Sequence, residues 1–365
     1  MIQNNKLCLD DVVRVATDIR ENQFVSEGDL LVCARNGSRR LVGKCALIPP
    51  LEEPCSFGAF MAICTGMCNE WLFYVLSSTY FSQYLDDSNS TTIYQVTQKM
   101  LLELPVPLPP AKEQKRIITE IKREFSLIDA LDECKQNLSL SISAAKSKIL
   151  DLAISGKLVP QDPSDEPAIE LLKRINPDFK PCDNSHYENL PEGWAITTVA
   201  DVFEINPKIQ ASDDIDAGFV PMANICDGFN NAFSFETKKW AKIKNGFSRF
   251  ADGDIAVAKI SPCLENRKSV IFRGLPNGIG AGTTELNIFR SSVVIPEYGL
   301  IFFKSDKFIN RCAGSYNGVV GQQRVSRSLI EDMPFLVPPI QEQKRITVAV
   351  NEYFAVIDRM ESSLL

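Results

Sequence analysis

Histidine occurs once in 365 residues, at His186 in a polar stretch. That scarcity excludes most metal-ligand sets and removes imidazole general-base chemistry from nearly the whole chain. Runs of about 18 apolar residues, the length a membrane helix needs, do not occur. The opening MIQNNKLCLDDVVR has neither the basic nor the apolar region of a signal peptide. Cys-x-x-Cys is absent among eleven scattered cysteines, and the one close pair is Cys64 and Cys68. Such usage reads as reduced, mostly buried thiols in a cytoplasmic protein.

Catalytic signatures are equally scarce. No Walker lysine follows a glycine loop, and the paired acids and lysine of a nuclease core are not evident. Asn206-Pro207 begins like a methyltransferase N/D-P-P-Y/F motif, but Lys208 and Ile209 follow, and no S-adenosylmethionine glycine loop precedes it. Gly278-Ile279-Gly280-Ala281-Gly282 lacks the sixth-position glycine of a dinucleotide fingerprint, and no βαβ pattern surrounds it. Neither an enzyme nor a metal or cofactor site is expected in this chain.

What the chain does contain is a copy of itself. LPVPLPPAKEQKRIITEIKREFSLIDALDE (104–133) recurs as MPFLVPPIQEQKRITVAVNEYFAVIDRMES (333–362), a shift of 229 positions. Pro109, Pro110, Glu113, Gln114, Arg116, Ile117, Phe125 and Ile128 return as Pro338, Pro339, Glu342, Gln343, Arg345, Ile346, Phe354 and Ile357. Upstream lie similar strands expected to be half-buried, GDLLVCARNGS (28–38) and GDIAVAKISPC (253–263). This period is far longer than that of a solenoid, so the chain is two modules in series, each followed by a helix.

Each Pro-Pro pair suits a helix first turn, where the missing N–H has no partner to lose, and Glu113 or Glu342 suits the positive end of the helix dipole. From Pro110 the apolar positions Ile117, Ile121, Phe125, Ile128, Leu131, Leu138, Ile142, Ile149 and Leu152 recur mostly every three or four residues. Without proline or glycine before Gly156, they predict one helix of about 45 residues, roughly 65 Å long. Its narrow stripe calls for a partner helix, and the second copy (338–365) offers Ile346, Val350, Phe354, Ile357 and Met360. The expected fold is α+β: two strand-rich modules, each followed by a long helix, with the helices packed as an antiparallel coiled coil. Module one covers 1–108, the first helix 109–156, a proline-rich acidic linker 157–189, module two 190–337 and the second helix 338–365. Module one lacks the front that module two has, and the second helix stops short of the first; a truncated gene product or a fragment would both read this way.

The formal charge of -7 hides two basic clusters. Lys238 to Arg273 holds nine basic and three acidic residues, and Arg35, Arg39, Arg40 and Lys44 have no acid among them. Both clusters adjoin a Gly-Asp-hydrophobic strand and a loop rich in small polar residues, a pattern that suits DNA. Candidate DNA-binding residues are Arg35, Arg39, Arg40, Lys44, Lys259, Asn266, Arg267, Lys268, Thr283, Thr284, Gln322 and Gln323. Lysine and arginine neutralise phosphate; arginine, asparagine and glutamine can pair with base edges. Solvated charged loops would carry the same residues.

At this level of detail the chain resembles the specificity subunits of type I restriction-modification systems. The resemblance rests on the P-P-x-x-E-Q-K-R-I helix starts at Pro109–Ile117 and Pro338–Ile346, and on ILDLAISGKLVPQ (149–161). Leu190-Pro191-Glu192-Gly193-Trp194, Gly253-Asp254-Ile255 and Gly278-Ile279-Gly280-Ala281-Gly282-Thr283-Thr284-Glu285 add to it. It covers nearly the whole chain, and it implies two target recognition domains, each reading one half of a bipartite site on double-stranded DNA. The helices would fix the gap and dock two modification subunits, which bring S-adenosylmethionine and recruit ATP-dependent, Mg-using restriction subunits. Docking would fall to Glu113, Gln114, Arg116, Ile117, Ile121, Phe125, Ile128, Leu138, Glu342, Gln343, Arg345, Ile346, Phe354 and Ile357. Two other readings stay open: a partial module donor without full specificity, and a coiled-coil scaffold whose modules bind protein.

Overall fold

The computed structural model describes residues 2–3, 5–10, 12–16, 18–88, 94–179, 190–315 and 323–364. His186 and Gln322 lie outside them. The chain divides into two compact units, Met1–Glu133 and Cys134–Leu365. The division falls inside one continuous helix, Ala111–Ile154.

In the first unit, β1 (Ile2–Gln3) and β2 (Lys6–Leu7) form a small hairpin. An antiparallel sheet of order β4-β3-β5 follows, made of β3 (Leu30–Cys33), β4 (Cys45–Leu47) and β5 (Met61–Cys64). Strand side chains alternate between faces. Leu30 and Val32 therefore enter a core with Leu76, Phe81 and Leu85, while Leu31 joins Ile2 and Ile48 on the other side. The helices behind the first core are α1 (Asn69–Leu76), α2 (Thr79–Ser88) and α3 (Gln98–Glu103). The long helix α4 (Ala111–Ile154) begins after Pro110. There the buried residue is Ile118 rather than Ile117.

The second unit adds α5 (Ala168–Ile175), β6 (Ala195–Thr198), α6 (Val199–Val202), β7 (Glu204–Ile205) and β8 (Asp216–Val220). Next come β9 (Glu236–Lys239), α7 (Trp240–Ile243), β10 (Ser248–Ala251), β11 (Ile255–Ala258) and β12 (Ser269–Ile271). Then follow β13 (Ile279–Gly282), β14 (Leu286–Arg290), α8 (Pro296–Lys304) and α9 (Asp306–Ala313). The unit closes with α10 (Arg327–Glu331), β15 (Pro334–Val337) and α11 (Ile340–Leu364). Two four-stranded sheets, β12-β11-β14-β7 and β10-β13-β8-β9, accompany the pair β15-β6. Strand β11 is buried on both faces, not half-buried as expected. Ile255 and Val257 meet the helical core, and Ala256 and Ala258 meet Phe250 and Phe272 under the other sheet.

The repeat extends well beyond the motifs that disclosed it. Val96 donates its N–H to Ala34, and Val325 donates to Lys259 at the same place in module two. Thr97 caps α3 by accepting from the Met100 N–H, as Ser326 caps α10 by accepting from Leu329. The bridges Arg35↔Gln95 and Ile260↔Arg324 also correspond.

The antiparallel helix pairing exists in the second unit, and it is short. Lys146 reaches Asp358 at 2.5 Å and lies over the Phe354 ring, while Ile154, Ile346 and Val350 share one core. Numbers rise along α4 as they fall along α11, so the contact belongs to the end of α4. The expected stripe also includes Ile117, Ile121, Phe125 and Ile128. Those four residues belong to the first unit, where Phe125 and Ile128 are exposed.

Candidate nucleic-acid interface

In module two the turn after β11, the β13–β14 turn and the segment before α10 converge. Backbone hydrogen bonds fix them: Lys259 N–H to Glu285 O at 3.0 Å, Ser261 N–H to Gln323 O at 2.9 Å. Lys259, Thr283, Thr284, Gln323 and Arg324 thereby share one surface. Thr283 and Thr284 lie between β13 and β14, and Thr284 is exposed. Glu285 grips Arg324 with both oxygens, at 2.9 and 2.8 Å. This contact holds the Glu285 carboxyl below its usual range. The glycines of β13 serve packing: a Cβ on Gly282 would lie 2.2 Å from the Val220 carbonyl oxygen. That strand passes too close to β8 for any side chain, and nothing about it forms a phosphate loop.

In module one Gln95 stands at the position of Arg324, bridged to Arg35 as Arg324 is to Ile260. The Arg35 guanidinium donates to Gln95 Oε1 at 3.0 and 2.6 Å. Arg39 is held by Asp86 at 2.6 Å and lies 4.4 Å over the Tyr94 ring. Arg40 is exposed, and Lys44 is half-buried.

Several expected contacts turn inward. Arg267 is 14% exposed at its side chain and pairs with Asp306, and Lys268 donates to Ile225 O at 2.7 Å and pairs with Asp227. Neither side chain is presented to a groove; Asn266, between these two and Glu265, is exposed. Lys238, Lys239, Lys244 and Arg273 are likewise paired with acids from outside the 238–273 stretch. The local surplus read from sequence is therefore largely neutralised by folding. Arg324, Gln95 and Glu285 were missed by sequence reasoning, although the 229-residue shift puts Gln95 opposite Arg324.

The second Glu-Gln-Lys-Arg motif is also interior. Glu342 is fully buried and accepts from Trp194 Nε1 and Gln161 Nε2, both at 3.0 Å. Burial pushes its carboxyl up. Gln343 accepts from the Ile295 N–H and donates to Val293 O and Pro338 O. Arg345 clasps Asp165 through two nitrogens. Glu342, Gln343 and Ile346 are wholly buried and so unavailable for docking another subunit. Phe354 and Ile357 are half-buried. In the first copy Glu113 and Arg116 are exposed, Ile117, Ile121 and Leu138 half-buried, and Gln114 caps its own helix through Pro109 O at 2.7 Å.

A duplicated strand-and-helix module, each copy closed by a Pro-Pro helix and displaying polar side chains at one equivalent turn, defines a bimodular protein. The type I restriction modification DNA specificity domain model matches residues 61–138 and 191–363, and the chain belongs to that family. It is 44% identical over 243 residues to the EcoAI specificity subunit of Escherichia coli and 42% identical over 243 residues to the EcoEI specificity subunit. Each match covers 61% of this chain and 41% of the relative, so the chain spans about two fifths of their length. A solved structure addressing complex assembly and conformational transition of the type I R-M system shares the fold. It has TM-score 0.59 and 14% identity, covering 93% of this chain and 77% of its own.

Proposed function

We propose that this chain recognises DNA for a type I restriction-modification complex, each module reading one half of a bipartite target. Its helices set the gap and dock two modification subunits, which recruit the restriction subunits in a prokaryotic cytoplasm. The chain itself is non-catalytic; S-adenosylmethionine, ATP and Mg belong to the partners. The observation that carries this reading is the equivalence of the two surface turns. Gln95, bonded to Arg35, and Arg324, beside Lys259, occupy the same place in two copies of one module. Among the described residues no helix is long and apolar enough to cross a membrane.

The test is methylation of a randomised DNA pool by the complex reconstituted with its modification subunit. A bipartite motif should emerge. Arg324→Ala should cost about 1–3 kcal/mol and relax one position of the half-site if Arg324 reads a base. Lys259→Ala should weaken all sequences alike and reduce the salt slope by about one unit. An unchanged motif and slope in both variants would remove this surface from the DNA interface.

A further inference from the structure

The turn 259–268 begins in the candidate interface at Lys259 and ends against the helices at Arg267. Arg267 is a non-glycine residue with φ +55°, a conformation L side chains adopt only when their surroundings hold them. Those surroundings are specific. The guanidinium donates to Ser147 Oγ of α4 at 2.9 Å and to Lys304 O at the end of α8 at 3.0 Å, and it pairs with Asp306 of α9. It also lies 4.7 Å from the Phe229 ring centroid. Phe229 meets Phe354 of α11 edge-on at 5.7 Å, and Lys146 of α4 covers the same Phe354 ring. Beneath the turn, the buried Lys304 ammonium donates to Arg267 O at 2.9 Å and Gly228 O at 2.7 Å. One arginine thus touches α4, α8 and α9 directly and reaches α11 through one ring.

We infer that Arg267 is a positioning residue, the joint that fixes the angle of module two's DNA-reading turn on the α4–α11 helix pair. This rests on the reading of module two as a DNA reader. Arginine suits the task because its planar fork satisfies several acceptors while one face stacks on an aromatic ring; lysine can do neither together. A loosened joint lets the turn swing relative to the helix without altering the side chains that meet the bases. Base identity should then survive while the permitted gap broadens.

The experiment keeps both half-sites as found for the wild-type complex and changes the gap by one base pair either way, reading methylation rates. Wild type should prefer its own gap, and Arg267→Lys should reduce that preference by about five-fold or more, with base preferences unchanged. Ser147→Ala, which removes only one hydroxyl, should reduce it less and serves if Arg267→Lys does not fold. Undiminished gap preference in the folded variants would overturn the inference, whatever happens to their melting temperature. So would loss of one base preference at an undiminished gap preference, which would make Arg267 a reader. Absence of any bipartite motif in wild type would instead sink the proposed function.

Discussion

Lys304 is the residue at which burial and charge conflict most openly. Its ammonium is almost wholly enclosed, and desolvation, with Arg267 adding repulsion, pulls its pKa down to about 7; Cys226 and Asp227 oppose this only in part. An unfolded chain would hold the same proton up to the ordinary value of 10.5. Below pH 7 the lysine is charged in both states, and the cost of burying it is fully present. Between pH 7 and 10.5 only the unfolded state keeps the proton, so stability rises with pH, by at most about 1.4 kcal/mol per unit. Buried thiols act in the opposite sense: Cys312 is pushed up to about 12 and Cys45 to about 11. Their unfolded forms ionise from pH 9, which favours unfolding at higher pH. Urea denaturation should therefore show stability increasing from pH 7 to 9 and levelling or falling beyond. Lys304→Met should flatten the rise; a rise that persists in the variant would place its cause elsewhere.

Among the elements, β13 carries the sharpest steric demand. Gly280 and Gly282 both face positions where a Cβ would overlap backbone oxygen of β8. Gly282→Ala should cost about 1–3 kcal/mol through forced separation of β8 and β13, measured by urea denaturation. A cost within about 0.5 kcal/mol, the range of ordinary surface changes, would mean the strands part easily. The same strand marks how far sequence reading reached. Its glycines stood out locally, but their packing against β8 did not; the Pro-Pro helix starts were legible because they are local and repeated. The roles of Glu342 and Arg267 were not, since each depends on partners more than a hundred residues away in sequence: Trp194 for one, Ser147 for the other. Charge was the least legible feature. Acids as distant as Asp306, Asp213 and Glu297 cancel cations that look unopposed along the chain. The length of α4 was legible, whereas a stripe of apolar residues does not say how much of it a partner covers.

At the scale of the whole molecule, net charge and internal pairing together limit what the chain can do on DNA alone. The formal charge is -7, and most cations of the richer basic cluster already hold a carboxylate. Lys242 and Arg249 of that cluster are exposed, as is Arg40 in module one. Affinity for duplex DNA comes largely from phosphate neutralisation and counterion release, so few free cations mean weak binding with a shallow salt dependence. A partner with its own phosphate contacts would add to both. In gel shifts, the chain alone should bind duplex weakly, with a slope of log K against log salt no steeper than about -3 and little preference for the target. Adding the modification subunit should produce a specific complex with a steeper slope. Tight, sequence-specific binding by the chain alone would show that its own surfaces suffice, and that the internal ion pairs open when DNA arrives.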